Sequence, residues 1–437
     1  MARSRSIFEV DIYILLATVA LVVIGILFIY SSGVTASGQV VSSEYLKQIG
    51  WAVSGFVLLG IVTFIDYRVL QRPSVAFFIA AIGALLFTLA FGKVVNGARR
   101  WIGIGPLGIQ PSEFAKIALI LVLARYFTTD PGRVKRLTGF AGGFAISLVP
   151  TSLVLMQPDL GTSLVYIPIF LFVAYAAGAR LSHIGFLIGT GVLIILFTIL
   201  PLWDQYIAEN THTFINVLRV VSAFRLLLGG LVIVMIISGI GWYLTRKRVF
   251  IWSVYVFSMV FFALPVSYIA QRALEEYQIM RLIVFLDPYV DPRGAGWNII
   301  QSVTAVGSGG LFGKGYLMGT QSHYRYLPQQ STDFIFSILA EEWGYIGVIV
   351  VLILFMTIIG RGIYIMTSAR DRFACSVSGG LVGLFSIHVL VNIGMAVGIM
   401  PITGLPLFLL SYGGSTLWTA MVAAGLLMSI YQHRYQY

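Results

Sequence analysis

Apolar runs long enough to cross a bilayer recur from one end of this sequence to the other. About twenty such residues span the ~30 Å hydrocarbon core as a helix. Inside that core every backbone N–H and C=O must be satisfied within the chain, which a helix does by itself. We read about twelve spans, at roughly 12–31, 49–66, 75–92, 113–127, 139–156, 160–178, 183–201, 223–243, 249–268, 334–359, 376–399 and 406–430. The fourth is short and carries Glu113 and Lys116 in its first turn, and only Gln157-Pro158-Asp159 separates the fifth from the sixth. The expected fold class is an all-α integral membrane protein, one polytopic domain over 1–437 with no internal repeat. Charged residues make up 10% of the chain, against about 25% in a soluble domain. The first run is too long for a signal core and lacks a small-residue cleavage site, so it reads as a span. A single cysteine, Cys375, excludes an internal disulfide and a cysteine-based metal site. The net charge of +11 is not read as a nucleic-acid signal, because excess Lys and Arg in a membrane protein marks cytoplasmic loops and anionic lipid.

Charge sets the expected orientation. With Arg3 and Arg5 in the cytoplasm, the inside segments carry Arg68 and Arg72, Arg133 to Arg136, Arg180, Arg246 to Arg248, Arg361 to Arg372, and Arg434. Both termini are then cytoplasmic, and 93–112, 157–159, 269–333 and 400–405 face outward. Asp333 stands out there, where the long polar segment 269–333 enters an apolar helix. Aspartate at a bilayer is costly and is rarely placed there without a partner or a role.

Each polar cluster has a structural and a functional reading. Glu113 and Lys116, spaced i, i+3, share a helix face; they form a partly buried ion pair, or Lys116 joins Arg99 or Arg100 as a cradle for a phosphate-bearing group. Trp101 is an aromatic-belt residue or lies against a sugar or lipid chain. The glycines of 305–315 do not make a P-loop, since Gly315 follows Lys314 where Ser or Thr is required. Asp287 and Asp291 each precede proline and suit turns, with a divalent-metal pair as the alternative. Thr332 and Asp333 can cap the next helix. Asp333 can also serve as a general base, a role that an apolar rim favours by raising a carboxylate's pKa. Glu341 and Glu342 read as packing or ion-pair residues outside the site. The histidines 183, 212, 323, 388 and 433 have no zinc-ligand spacing, and His388 reads as a satisfied buried histidine. No Gly-x-Ser-x-Gly elbow is present.

In this order, these motifs resemble the SEDS family (shape, elongation, division and sporulation). The stretches that carry the likeness are Asn96–Lys116, Gln157–Thr162, Phe285–Gly319, Leu327–Gly347 and Pro401–Ser415. Phe285-Leu-Asp-Pro, Gly319-Thr-Gln-Ser322 and Pro401-Ile-Thr-Gly-Leu-Pro406 are similar to the elongation branch. Division members often carry lysine at the position of Thr403 and glutamate at that of Arg325, and this chain has neither. The family has a ten-span bundle, so 223–243 and 249–268 read as an extra hairpin inserted at about 205–268.

The resemblance implies a peptidoglycan glycosyltransferase in the bacterial cytoplasmic (inner) membrane. Its substrate is lipid II, and its expected partners are a class B penicillin-binding protein and other elongation-complex proteins. The family's motif positions place Asp333 as the catalytic residue and Glu113 and Lys116 in a central cavity. Arg99, Arg100, Trp101, Gln110 and Asp159 are further candidates for substrate binding. A divalent cation, magnesium or manganese, is compatible with a pyrophosphate leaving group, but the sequence shows no dedicated metal site. A lipid II flippase is the competing reading, and a scaffold for cell-wall enzymes is a third. A flippase should line a path through the midplane, whereas the motif residues gather at the outer rim.

Overall fold

The computed structural model describes residues 10–95, 98–104, 107–130, 132–208, 215 and 221–434. Arg3, Arg5, Asn96, His212 and part of the expected hairpin stretch 205–268 lie outside the described residues. The chain divides into two compact units, 1–179 with 301–437, and 180–300.

The larger unit contains α1 (Ile12–Ser32), α2 (Glu44–Phe64), α3 (Ser74–Phe91), α4 (Pro111–Thr129), α5 (Leu137–Leu155) and α6 (Leu160–Ala176). The smaller unit contains α7 (Leu181–Tyr206), α8 (Val221–Thr245), α9 (Arg248–Ala273) and α10 (Glu276–Leu286). The chain continues through α11 (Trp297–Ser308), α12 (Thr320–His323), α13 (Ile335–Ser368), α14 (Arg372–Ala396) and α15 (Gly414–His433). Ten of the described helices are long and apolar enough to cross a membrane. α4 and the 17-residue α6 complete the match, so each apolar run read from the sequence is a helix.

Among the described residues the helices are accompanied by one small sheet. Between α3 and α4, β1 (Lys93–Val95), β2 (Ala98–Ile104) and β3 (Leu107–Ile109) pair antiparallel in that order. Strand-forming Val, Trp and Ile recur there, separated in sequence by Asn96-Gly97 and Gly105-Pro106, pairs that favour turns.

In the larger unit α2 packs on α15, α6 and α13 pack on α14, and α1 packs on α13. α4 is buried on nearly every face, as befits a helix apolar all round. At one end of α1, Asp11 caps the helix through the Tyr13 and Ile14 amides and accepts from the Arg361 guanidinium at 2.6 and 2.8 Å. In the smaller unit α9 packs on α7 and α8. Phe224, Leu231 and Leu264 are its core, and the Gln271 amide donates to the Phe197 carbonyl at 2.9 Å.

Two boundaries differ from the sequence reading for physical reasons. The last helix begins at Gly414, not at 406. Residues 401–413 are apolar and largely buried yet irregular: Pro401 and Pro406 interrupt a helix, and Gly404 takes φ +73°. The segment expected as one long loop, 269–333, is instead largely structured, holding α10, α11 and α12.

α13 is also not one helix. Gly344 breaks it with φ 62°, ψ −161°, and the glycine segment 309–315 fills the break backbone to backbone. The amides of Lys314 and Gly315 donate to the Glu341 and Glu342 carbonyls at 3.0 Å each. The amides of Tyr345 and Ile346 donate back to Gly310 and Leu311 at 2.9 and 3.2 Å. A buried helix break is tolerated only when its freed groups are satisfied in this way. Side chains lock the insertion further. Glu341 accepts from Lys314 Nζ at 2.7 Å and from the Thr320 and Gln321 amides, and Glu342 accepts from Ser31 Oγ and the Leu317 amide. Glu341 is thus the ion-pair residue its sequence position pointed to.

Candidate active site

The ends of α4, α6, α13, α14 and α15 meet around the irregular segment 397–413, between α14 and α15, of which 401–413 is largely buried. That segment needs polar side chains, because its backbone is buried without a helix or sheet to satisfy it. They come from all around. Ser411 Oγ donates to the Thr332 carbonyl at 2.6 Å and accepts the Leu407 amide at 2.8 Å. Gln48 on α2 donates to the Ser411 carbonyl and accepts the Gly413 amide, both at 3.2 Å. The Tyr412 amide donates to the Ser331 carbonyl at 2.8 Å.

Asp333 lies one residue before the N-cap of α13. That position is Phe334, and it makes no side-chain cap. The Thr332 hydroxyl turns back and donates to the Gln329 carbonyl at 3.2 Å. The Asp333 carboxylate is half-buried and lies over Gly404, where a Cβ would sit 3.5 Å from Oδ2. Its carbonyl accepts from Asn392 Nδ2 at 2.9 Å, and the same nitrogen donates to the Leu405 carbonyl at 2.8 Å.

α4 starts where Pro111 occupies its first turn, a position that needs no N–H, and Tyr166 Oη donates to the Ser112 carbonyl at 2.8 Å. Two residues on, Glu113 and Lys116 are 1% and 0% exposed. The Lys116 ammonium donates to Glu113 Oε1 at 2.7 Å and lies 3.1 Å from His388 Nε2. The His388 ring stacks on Phe408, with centroids 3.7 Å apart, and its Nδ1 is 2.9 Å from the Pro406 carbonyl.

Asp159 caps α6 through the Thr162 amide at 3.1 Å. It also accepts from Gln110 Nε2 at 3.2 Å and lies 3.6 Å from the Arg100 guanidinium; Arg100 further donates to the Pro158 carbonyl. Gly161 meets the Thr403 backbone so closely that no side chain would fit. α6 thereby reaches the same segment.

Several buried polar atoms of these elements have no hydrogen-bond partner among the described residues: Glu113 Oε2, Asn392 Oδ1, Thr403 Oγ1 and Arg100 Nε. Buried polar groups are satisfied in the great majority of cases, so their gathering here marks a place for water or a ligand.

The structure brings together most of the candidates, but not all. Asp333, Glu113 and Lys116 are joined through 405–408; Asp159, Gln110 and Arg100 form an adjoining cluster. Arg99 is exposed and, among the described residues, reaches only the Ala90 carbonyl, at 3.5 Å. The Trp101 indole packs over Gly108 of its own sheet. The expected cradle of Lys116 with Arg99 is not formed. His388 is satisfied, as read, but its partner is Lys116. Asn392 went unread, although two polar residues four apart within an apolar span are themselves a signal.

Asp287 accepts the Tyr289 amide, and Asp291 accepts those of Gly294 and Ala295. Among the described residues, no group of three or more His, Cys, Asp or Glu side chains is arranged to hold an ion.

The sequence matches the cell cycle protein family of FtsW, RodA and SpoVE over residues 12–220 and 214–436. It is 48% identical over 432 residues to the peptidoglycan glycosyltransferase RodA of Treponema pallidum (strain Nichols), covering 98% of this chain and 99% of that protein. It is 35% identical over 428 residues to the peptidoglycan glycosyltransferase MrdB of Escherichia coli (strain K12), covering 98% and 94%. The fold matches a solved chain described under the structural coordination of polymerization and crosslinking by a peptidoglycan synthase complex. The TM-score is 0.66 at 26% identity, over 98% of this chain and 100% of that one. Matched over nearly its whole length, the chain belongs to the SEDS family of cell cycle proteins and is a multi-pass membrane protein.

Proposed function

We propose that this chain is a peptidoglycan glycosyltransferase that polymerises lipid II during cell elongation. Its relatives in two species are peptidoglycan glycosyltransferases, and it covers both almost end to end. The observation that carries the residue roles is the convergence on 397–413 of a half-buried carboxylate, Asp333, and a buried ammonium, Lys116, with unmet polar atoms on the same elements.

Asp333 takes the proton from the 4-hydroxyl of an acceptor GlcNAc. The freed oxygen attacks C1 of the donor MurNAc, the bond from C1 to the pyrophosphate oxygen breaks, and polyprenyl pyrophosphate leaves. Inversion converts the α-linked donor into a β-1,4 bond. A positioned base contributes about 10²–10⁴-fold to such a step. Lys116, with Glu113 holding it, and Arg100, held by Asp159 to which Gln110 donates, supply preorganised positive charge for the leaving pyrophosphate. Trp101 braces the sheet that carries Arg100. A divalent cation, magnesium or manganese, would help to neutralise the leaving pyrophosphate.

The site faces outward with both termini cytoplasmic, as the basic segments direct. A class B penicillin-binding protein supplies transpeptidation, and other elongation-complex proteins join it; a solved relative in a peptidoglycan synthase complex supports such an assembly. The test is polymerisation of purified lipid II by the chain alone and with its cognate transpeptidase. We expect a weak rate alone and a higher rate with the partner. Equal rates would remove the partner's role, and no glycan under either condition would favour a transporter.

A further inference from the structure

The buried face of α14 carries two polar side chains four residues apart, His388 and Asn392, and residues at that spacing stand one above the other on a helix. They bond successive carbonyls of the irregular segment. Asn392 Nδ2 has two hydrogens and uses both, on the Asp333 and Leu405 carbonyls. His388 Nδ1 faces the Pro406 carbonyl, which only accepts, so Nδ1 carries the ring proton. Nε2 then holds a lone pair, and it faces the Lys116 ammonium at 3.1 Å. His388 is thus an acceptor for a buried cation, and stacking on Phe408 fixes its ring. Through these two residues, Lys116 is referred to the Pro406 carbonyl and the backbone of Asp333 to the adjacent Leu405 carbonyl.

We propose that His388 and Asn392 are positioning residues for glycosyl transfer: a bracket on α14 that holds the Lys116 ammonium and Asp333 in register across Leu405 and Pro406. This rests on the reading of Asp333 and Lys116 as the working charges. Neither bracket residue needs to touch substrate. Removing His388 leaves the ammonium with Glu113 as its one remaining hydrogen-bond partner among the described residues and frees it to swing. Removing Asn392 unties Asp333 from Leu405. A displacement of about 1 Å costs on the order of 10²-fold in such steps.

The test compares wild type, Asp333→Asn, His388→Leu, His388→Gln and Asn392→Leu in the full complex with purified lipid II, with thermal melting as the control for folding. We expect His388→Leu and Asn392→Leu to lower kcat by about 10–100-fold while KM changes less than about threefold. His388→Gln should recover to within about fivefold of wild type, because its amide can donate to Pro406 and accept from Lys116. A folded His388→Leu with wild-type kcat overturns the bracket. So does a folded His388→Gln as impaired as His388→Leu, since packing rather than hydrogen bonding would then be at work. A loss confined to KM also overturns it, because that marks a substrate contact. If Asp333→Asn retains full activity while wild type polymerises, the underlying assignment of the base fails instead, whatever the bracket variants do.

Discussion

Replacing Lys116 with methionine separates what the buried charge pair does for folding from what it does for the reaction. Lys116 is fully buried, and its ammonium is the one hydrogen-bond donor to Glu113 Oε1 among the described residues; Glu113 Oε2 has no partner there. Methionine fills much of the same volume but leaves a buried carboxylate with nothing to neutralise it. Breaking a buried pair from one side costs about 3–5 kcal/mol. Unfolding entropy of about 2.1 cal/mol/K per residue over 437 residues converts that into a fall in Tm of about 3–5 °C. Replacing both partners, Glu113→Gln with Lys116→Met, removes the stranded charge and should restore most of the loss. The assay is thermal unfolding of detergent-purified protein, paired with lipid II polymerisation. We expect the double variant to melt near wild type and to stay inactive. A Lys116→Met protein that melts with wild type would refute the pairing; an active double variant would refute the lysine's role at the pyrophosphate.

Arg100→Ala should lower polymerisation more than Arg99→Ala, because Arg100 pairs with Asp159 at the site whereas Arg99 is exposed and bonds the Ala90 carbonyl; equal effects in a rate assay would contradict that assignment. Asp159→Ala removes the cap of α6, which costs about 0.5–2 kcal/mol in a melting experiment, and it removes the ion-pair partner of Arg100 as well. Gly313→Ala forces a side chain into φ +77° against the Glu342 backbone, a strain of about 1–3 kcal/mol. Gly307→Ala, where a Cβ meets open space, should leave melting unchanged.

The apolar runs made the helices legible, because a bilayer admits few alternatives to a helix. Their ends were less so wherever an apolar stretch is buried without being helical. Leu405 to Leu410 look like the start of a span, yet Gly404, Pro406 and bonds from His388, Asn392 and Ser411 hold them in an irregular path. The glycines of 309–315 signalled turns but not their purpose, which depends on a break at Gly344 thirty residues away. The i, i+3 spacing offered the Glu113–Lys116 ion pair as one of two readings, and the structure forms it. Local spacing could not show that His388 completes it, because that contact joins positions 272 residues apart in the sequence. Arg99 and Arg100 are neighbours in sequence and equal candidates there; only the pairing of β2 with its neighbours separates them.

The central claim is that Asp333 is the base for glycosyl transfer. Purified lipid II should be offered to matched, folded preparations of wild type and Asp333→Asn, each with the cognate transpeptidase, and the glycan resolved by length. We expect polymer from wild type and a loss of about 10²–10⁴-fold in the variant, which keeps the side chain's shape but not its basicity. Undiminished polymer from Asp333→Asn would contradict the claim.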